Sequence, residues 1–140
     1  MKDKRIFVDT NILIYAHDKD AGERYNIAKD KIKYLWQHPG LVVISIQVLQ
    51  EFYVNLIKRN VSEEDSRIAV EDYLAWDVID NDRSLLIEGI SVREKYQLSF
   101  WDALILTAAK RGHAEILWSE DFNSGQNYNG VIAMNPLTGS

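Results

Sequence analysis

Short apolar runs of three or four residues recur along this chain, most of them separated by segments of helical spacing, and each stops abruptly at polar residues. Ile6-Phe7-Val8 stops at Asp9-Thr10-Asn11, Leu41-Val42-Val43-Ile44 at Ser45, Leu117-Trp118 at Ser119-Glu120-Asp121, and Val131-Ile132-Ala133-Met134 at Asn135-Pro136. A continuous apolar run without alternation, rich in β-branched residues, is the signature of a strand buried on both faces. Strands of that kind belong to parallel sheets, whose crossovers are helical. The chain is therefore read as α/β, one central parallel sheet with helices on both faces.

The helical segments fit between the strands. Residues 11–16 read as a short helix. Residues 23–37 read as a longer one, stopped by His38-Pro39-Gly40. Ser45 caps a helix over 46–60, and Ser62-Glu63-Glu64-Asp65 is a capping box that opens another to about residue 76. Residues 77–80 suit a short strand, and 84–97 a helix. Ser99 starts a very apolar helix that runs to Arg111, with Gly112 expected as its left-handed cap. At 140 residues the chain suits a single domain. We place it at 1–136, with 137–140 as a C-terminal tail.

Composition removes several chemistries. There is no cysteine, which excludes disulfides, thiolate zinc sites and cysteine nucleophiles. His17, His38 and His113 show no paired metal spacing, and no Gly-rich phosphate loop is present. The net charge of −5 means that a phosphate-bearing partner must be held locally, by a metal or a small basic patch. Met1-Lys2-Asp3-Lys4-Arg5 lacks the features of a signal peptide, and no apolar segment has the length needed to span a bilayer. A soluble cytoplasmic protein without a membrane partner is expected.

Four acids stand where carboxylates are costly. Asp9 ends the first strand, where it reads equally as a helix N-cap and as a metal ligand. Glu51 lies on the flank of an amphipathic helix and could simply reach for solvent or Lys58. Asp102 occupies the first turn of the apolar helix, three residues after Ser99, so a capping role and a ligand role coexist there. Asp121 sits among turn formers after a strand, and its neighbour Glu120 is an alternative. In an open α/β sheet, sites form outside the carboxyl ends of the strands, and Asp9 and Asp121 follow two such ends. A divalent cation with oxygen ligands is the commonest compensator for clustered carboxylates.

The ordered set Phe7-Val8-Asp9-Thr10-Asn11-Ile12-Leu13, Ile44-Ser45 with Glu51-Phe52, Leu98-Ser99-Phe100-Trp101-Asp102-Ala103-Leu104-Ile105 and Leu117-Trp118-Ser119-Glu120-Asp121-Phe122 resembles the PIN-domain ribonucleases, and among them the VapC-type toxins of toxin–antitoxin pairs. The resemblance covers nearly the whole chain, ending in Val131-Ile132 and Asn135-Pro136. It implies that Asp9, Glu51, Asp102 and Asp121 form a catalytic acidic quartet holding one or two Mg²⁺ or Mn²⁺ ions, with Asn11 and Ser119 as polar helpers. It also implies an RNA substrate, a homodimer and a cognate antitoxin. The alternatives are a PIN nuclease outside a toxin–antitoxin pair, acting on structured RNA or DNA, and a non-catalytic binding domain.

Overall fold

The computed structural model describes residues 3–138. The expected apolar runs form the centre of a six-stranded sheet. Strand β1 (Ile6–Val8) lies between β2 (Val42–Ser45) and β4 (Ile116–Trp118), with Phe7 in register with Val43 on one side and Leu117 on the other. Outward from β2 comes β3 (Asp77–Ile79). Outward from β4 come β6 (Val131–Met134) and then β5 (Asn127–Tyr128). All pairings are parallel except that of β5 with β6. Phe7, Val8, Val42, Val43, Ile44 and Leu117 are fully buried, as strands covered on both faces must be.

Helices α1 (Thr10–His17) and α2 (Glu23–Gln37) connect β1 to β2, while α3 (Ile46–Lys58) and α4 (Glu63–Tyr73) connect β2 to β3. Helices α5 (Arg83–Tyr96) and α6 (Phe100–Arg111) then carry the chain back across β2 and β1 to β4. Parallel crossovers are right-handed, so reversing the direction of travel moves the connecting helices to the opposite face. The packing agrees: α1 lies against α2 and α3, and α3 against α4, whereas α6 packs on α5, β2 and β6. Its composition explains the placement of α6. Residues 103–109 are buried all round, so the helix fits only between the sheet and another helix. Gly89 lets α5 come close, since a Cβ there would lie 2.5 Å from Leu104 Cδ2.

Four details depart from the sequence reading. Gly112 is not the left-handed residue after α6: its φ is −79°, and His113 takes that conformation at +60°. Gly112 is instead required for space, because a Cβ would meet Val43 Cγ2 at 2.7 Å. Helix α4 ends at Tyr73, and Trp76 turns inward to pack on Tyr73 and Trp36. Strand β5 was not expected. Residues 136–138 form a short 3₁₀ turn, and Leu137, assigned above to a tail, is buried with the core. No helix among the described residues is long and apolar enough to cross a membrane.

Candidate active site

Strand order reverses at β1, between the branch leading to β2 and β3 and the branch leading to β4 and β6. Such a reversal opens a crevice at the carboxyl edge of the sheet. Asp9 is the first residue past β1 on that edge, and its backbone N–H still bonds the carbonyl of Trp118 across the strand pair, at 2.9 Å. The residues after β4 and the start of α3 open onto the same edge. A cavity of about 160 Å³ lies there, lined by Asp9, Thr10, Asn11, Gln47, Glu51, Asn55, Trp101, Asp102, Ile105 and Asp121. The four acids singled out in the sequence share its wall, and no Lys, Arg or His is among the lining residues.

Asp9 is only 4% exposed. One carboxylate oxygen accepts the Thr10 N–H at 2.8 Å, which is the helix-capping role, and the other accepts the Ser119 hydroxyl at 2.7 Å. Burial pushes its pKa up from 3.8 to about 7. The two hydrogen bonds oppose that rise, and the charges of Asp121 and Glu51 add to it. Asp102 is also raised, first by burial and then by the charge of Asp121, against the lowering effect of Ser99. Its own backbone N–H donates to Ser99 Oγ at 3.1 Å, so cap and site coexist there too.

The remaining side chains are fixed by short local rules. Glu51 faces neither solvent alone nor Lys58. It accepts the Thr10 hydroxyl at 2.7 Å, so Thr10 alone holds two acids, Asp9 through its N–H and Glu51 through its hydroxyl. Asn11 donates to Asp121 at 3.3 Å. Ser119 is buried behind the wall rather than in it, and its hydroxyl oxygen also accepts the Asp121 N–H at 3.0 Å. Glu120, the alternative to Asp121, points the other way. It accepts the Tyr15 hydroxyl at 2.8 Å and lies 3.5 Å from Arg24. Alternation along the loop thus sends Asp121 to the cavity and Glu120 to α1 and α2.

The donor chemistry fits a hard divalent cation: oxygens only, two carboxylates with raised proton affinity, and no basic side chain in the wall. Among the described residues no three acidic or histidine side chains are already drawn into one coordination group. Mg²⁺ suits such a site, since it is held by one or two carboxylates and keeps several of its waters. Thr10, Gln47, Asn55 and Trp101 were not singled out from sequence. Only Thr10 and Trp101 carried a signal, as neighbours of Asp9 and Asp102. Gln47 and Asn55 reach the wall through the phase of α3: Gln47 donates to the carbonyl of Trp101, and Asn55 to that of Glu51.

Comparison with known proteins agrees with this architecture. A toxin–antitoxin complex from Klebsiella pneumoniae is 26% identical, with a TM-score of 0.67 over 91% of this chain and 95% of that one. VapC20 of Mycobacterium tuberculosis, described as a Sarcin-Ricin loop cleaving toxin, is 22% identical, with a TM-score of 0.63 over 83% of this chain and 89% of its own. VapBC2 from Rickettsia felis, bound to a DNA fragment from its promoter, is 19% identical with a TM-score of 0.63, over 91% and 96% of the two chains. No curated protein matches the chain in sequence. The PIN domain family matches residues 6–125, which takes in all four acids and the helices and strand ends that position them; the chain belongs to the PIN-domain family.

Proposed function

We propose that this protein is a divalent-metal-dependent endoribonuclease and the toxin of a toxin–antitoxin pair. The observation that carries the proposal is the convergence of Asp9, Glu51, Asp102 and Asp121 on one small cavity at the switch point of the sheet, with no basic side chain in its wall. Asp9 and Asp102 would hold one or two Mg²⁺ or Mn²⁺ ions, with Asp121 completing the set. The ions would supply charge for the phosphate oxygens and acidify a water. Glu51, steadied by Thr10, is in place to orient that water and accept its proton. Asn11 keeps Asp121 turned to the cavity, and Ser119 aims Asp9 and favours its ionised form against the effect of burial.

Two of the similar structures support the partner reading, since their descriptions name a toxin–antitoxin complex and a VapBC assembly. A larger groove, about 610 Å³, lies away from the acids between α2 and α4. Its wall combines Trp36, Ile68, Ala69 and Tyr73 with Asp65, Glu71 and Asp72. That mixture suits an amphipathic antitoxin segment bearing Lys or Arg. A cytoplasmic homodimer completes the proposal.

The test uses protein freed of any partner, with total RNA and with single-stranded DNA, in Mg²⁺, Mn²⁺ or EDTA. RNA is cut with either cation, stays intact in EDTA, and the cations raise the melting temperature because they bind the folded chain. Intact RNA together with an unmoved melting temperature overturns the reading, and cleavage of DNA alone moves it to a DNA nuclease. Light scattering of the same preparation reads the dimer as twice the chain mass.

A further inference from the structure

Trp101 is 61% exposed, one of the most exposed large apolar side chains of the molecule, and it lies in the wall of the acidic cavity. An exposed Trp is costly, because a large apolar face remains in water. Here it is also held in place. Ser99 caps the turn that carries it, Gln47, itself buried, donates to its backbone carbonyl at 3.2 Å, and its ring meets the edge of Phe100 at 5.1 Å between centroids. The ring therefore stands on a fixed helix start, immediately before Asp102.

The cavity wall has no cationic side chain to grip a phosphate, and the chain carries a net charge of −5. Beyond the cation that the acids would hold, this wall offers a polyanionic strand no positive charge, so further grip here comes from contacts that do not depend on charge. A rigid aromatic face beside the reacting position provides one, because every nucleobase has a face that can stack on it. We propose that Trp101 is the stacking platform for one base next to the phosphodiester bound at the cation that the four acids would hold. This rests on the nuclease reading above and adds a substrate requirement to it. The base must be unstacked, so the strand is single-stranded or splayed open at the cut, and continuous duplex is refused.

The test measures binding and cleavage separately on the full chain. The probe is a fluorescein-labelled single-stranded RNA oligonucleotide, together with a series in which one base at a time is replaced by an abasic ribose. Binding is read by anisotropy in EDTA for the parent, Trp101→Ala and Trp101→Phe, with melting curves to show that all three fold. We expect Trp101→Ala to weaken binding about tenfold and Trp101→Phe to keep most of it. One abasic position is expected to cost the parent the same factor and to cost Trp101→Ala nothing. In Mg²⁺, Trp101→Ala is expected to raise KM with kcat little changed, because stacking holds substrate and transition state alike.

Equal binding by parent and Trp101→Ala overturns the proposal, as does an equal loss at every abasic position. A change of Trp101→Ala from dimer to monomer with RNA binding intact overturns it as well, and makes the ring a subunit contact. Parent that binds RNA through Trp101 but never cuts it leaves the platform standing and removes the nuclease reading. Trp101→Ala that cuts RNA with the KM of the parent does the reverse.

Discussion

Asp9→Asn is expected to abolish the proposed RNA cleavage, by about a thousandfold or more, and at the same time to raise the melting temperature of the metal-free protein at about pH 8. The two effects have one cause. Asp9 is buried, and without a cation its charge is compensated only by two hydrogen bonds. Its folded pKa of about 7 lies above the ordinary 3.8, so between these values the folded chain holds a proton that the unfolded chain has lost. Stability therefore falls as pH rises through that window and stays low above it. A shift of this size corresponds to on the order of 4 kcal/mol. Asn carries no charge, still accepts the Thr10 N–H, and leaves the Ser119 hydroxyl free to turn. The gain in EDTA is expected to vanish near pH 4, and in saturating Mg²⁺ the parent recovers, because only it binds the ion well. A variant that melts below its parent in EDTA at about pH 8 would show that the Asp9 charge is no burden.

Ser119→Ala is expected to lower cleavage about 10- to 100-fold at neutral pH, even though Ser119 does not reach the cavity. Its hydroxyl joins two acids: it donates to Asp9 and accepts the backbone N–H of Asp121. Removing it takes from Asp9 the stronger of the two bonds that hold its pKa down. The Asp9 pKa then moves further above about 7, and the pH at which activity appears moves up with it. The loss is thus larger at pH 6 than at pH 9, a difference that general loosening of the fold would not produce. A rate–pH profile lowered uniformly, without displacement, counts against this role.

How much of this could be read in the sequence varies from residue to residue. The strands were legible because 6–8, 42–44 and 131–134 are continuous apolar runs that stop at polar residues, and α2 was placed at its observed limits by the His38-Pro39-Gly40 stop. Ser45, Ser62 and Ser99 cap helices as their spacing implied. Strand β5 was not legible: two residues carry no alternation, and its existence depends on pairing with β6. Gly112 suggested a turn, when what it supplies is room beside Val43. In the cavity, the grouping of the acids was implied by the resemblance of their motifs to the PIN-domain ribonucleases, not by composition or spacing. The helix phases that bring Gln47 and Asn55 to the wall are set by packing, so composition and spacing could not have found them.

The position of Asp9 has a consequence for control. It stands one residue beyond the middle strand of the sheet, tied across to β4 by its own N–H, between an N-cap and a buried hydroxyl. Groups placed so centrally open only when the whole domain opens. Exchange of the Asp9 amide hydrogen should therefore keep pace with global unfolding rather than with any local breathing. On the proposed function, a reactive acid mounted there has no local opening and closing of its own: with proton and cation in the right state, the intact fold is the active one. Apart from loss of the cation, restraint on the proposed nuclease would then come from outside, by something that blocks the opening or by destruction of the chain.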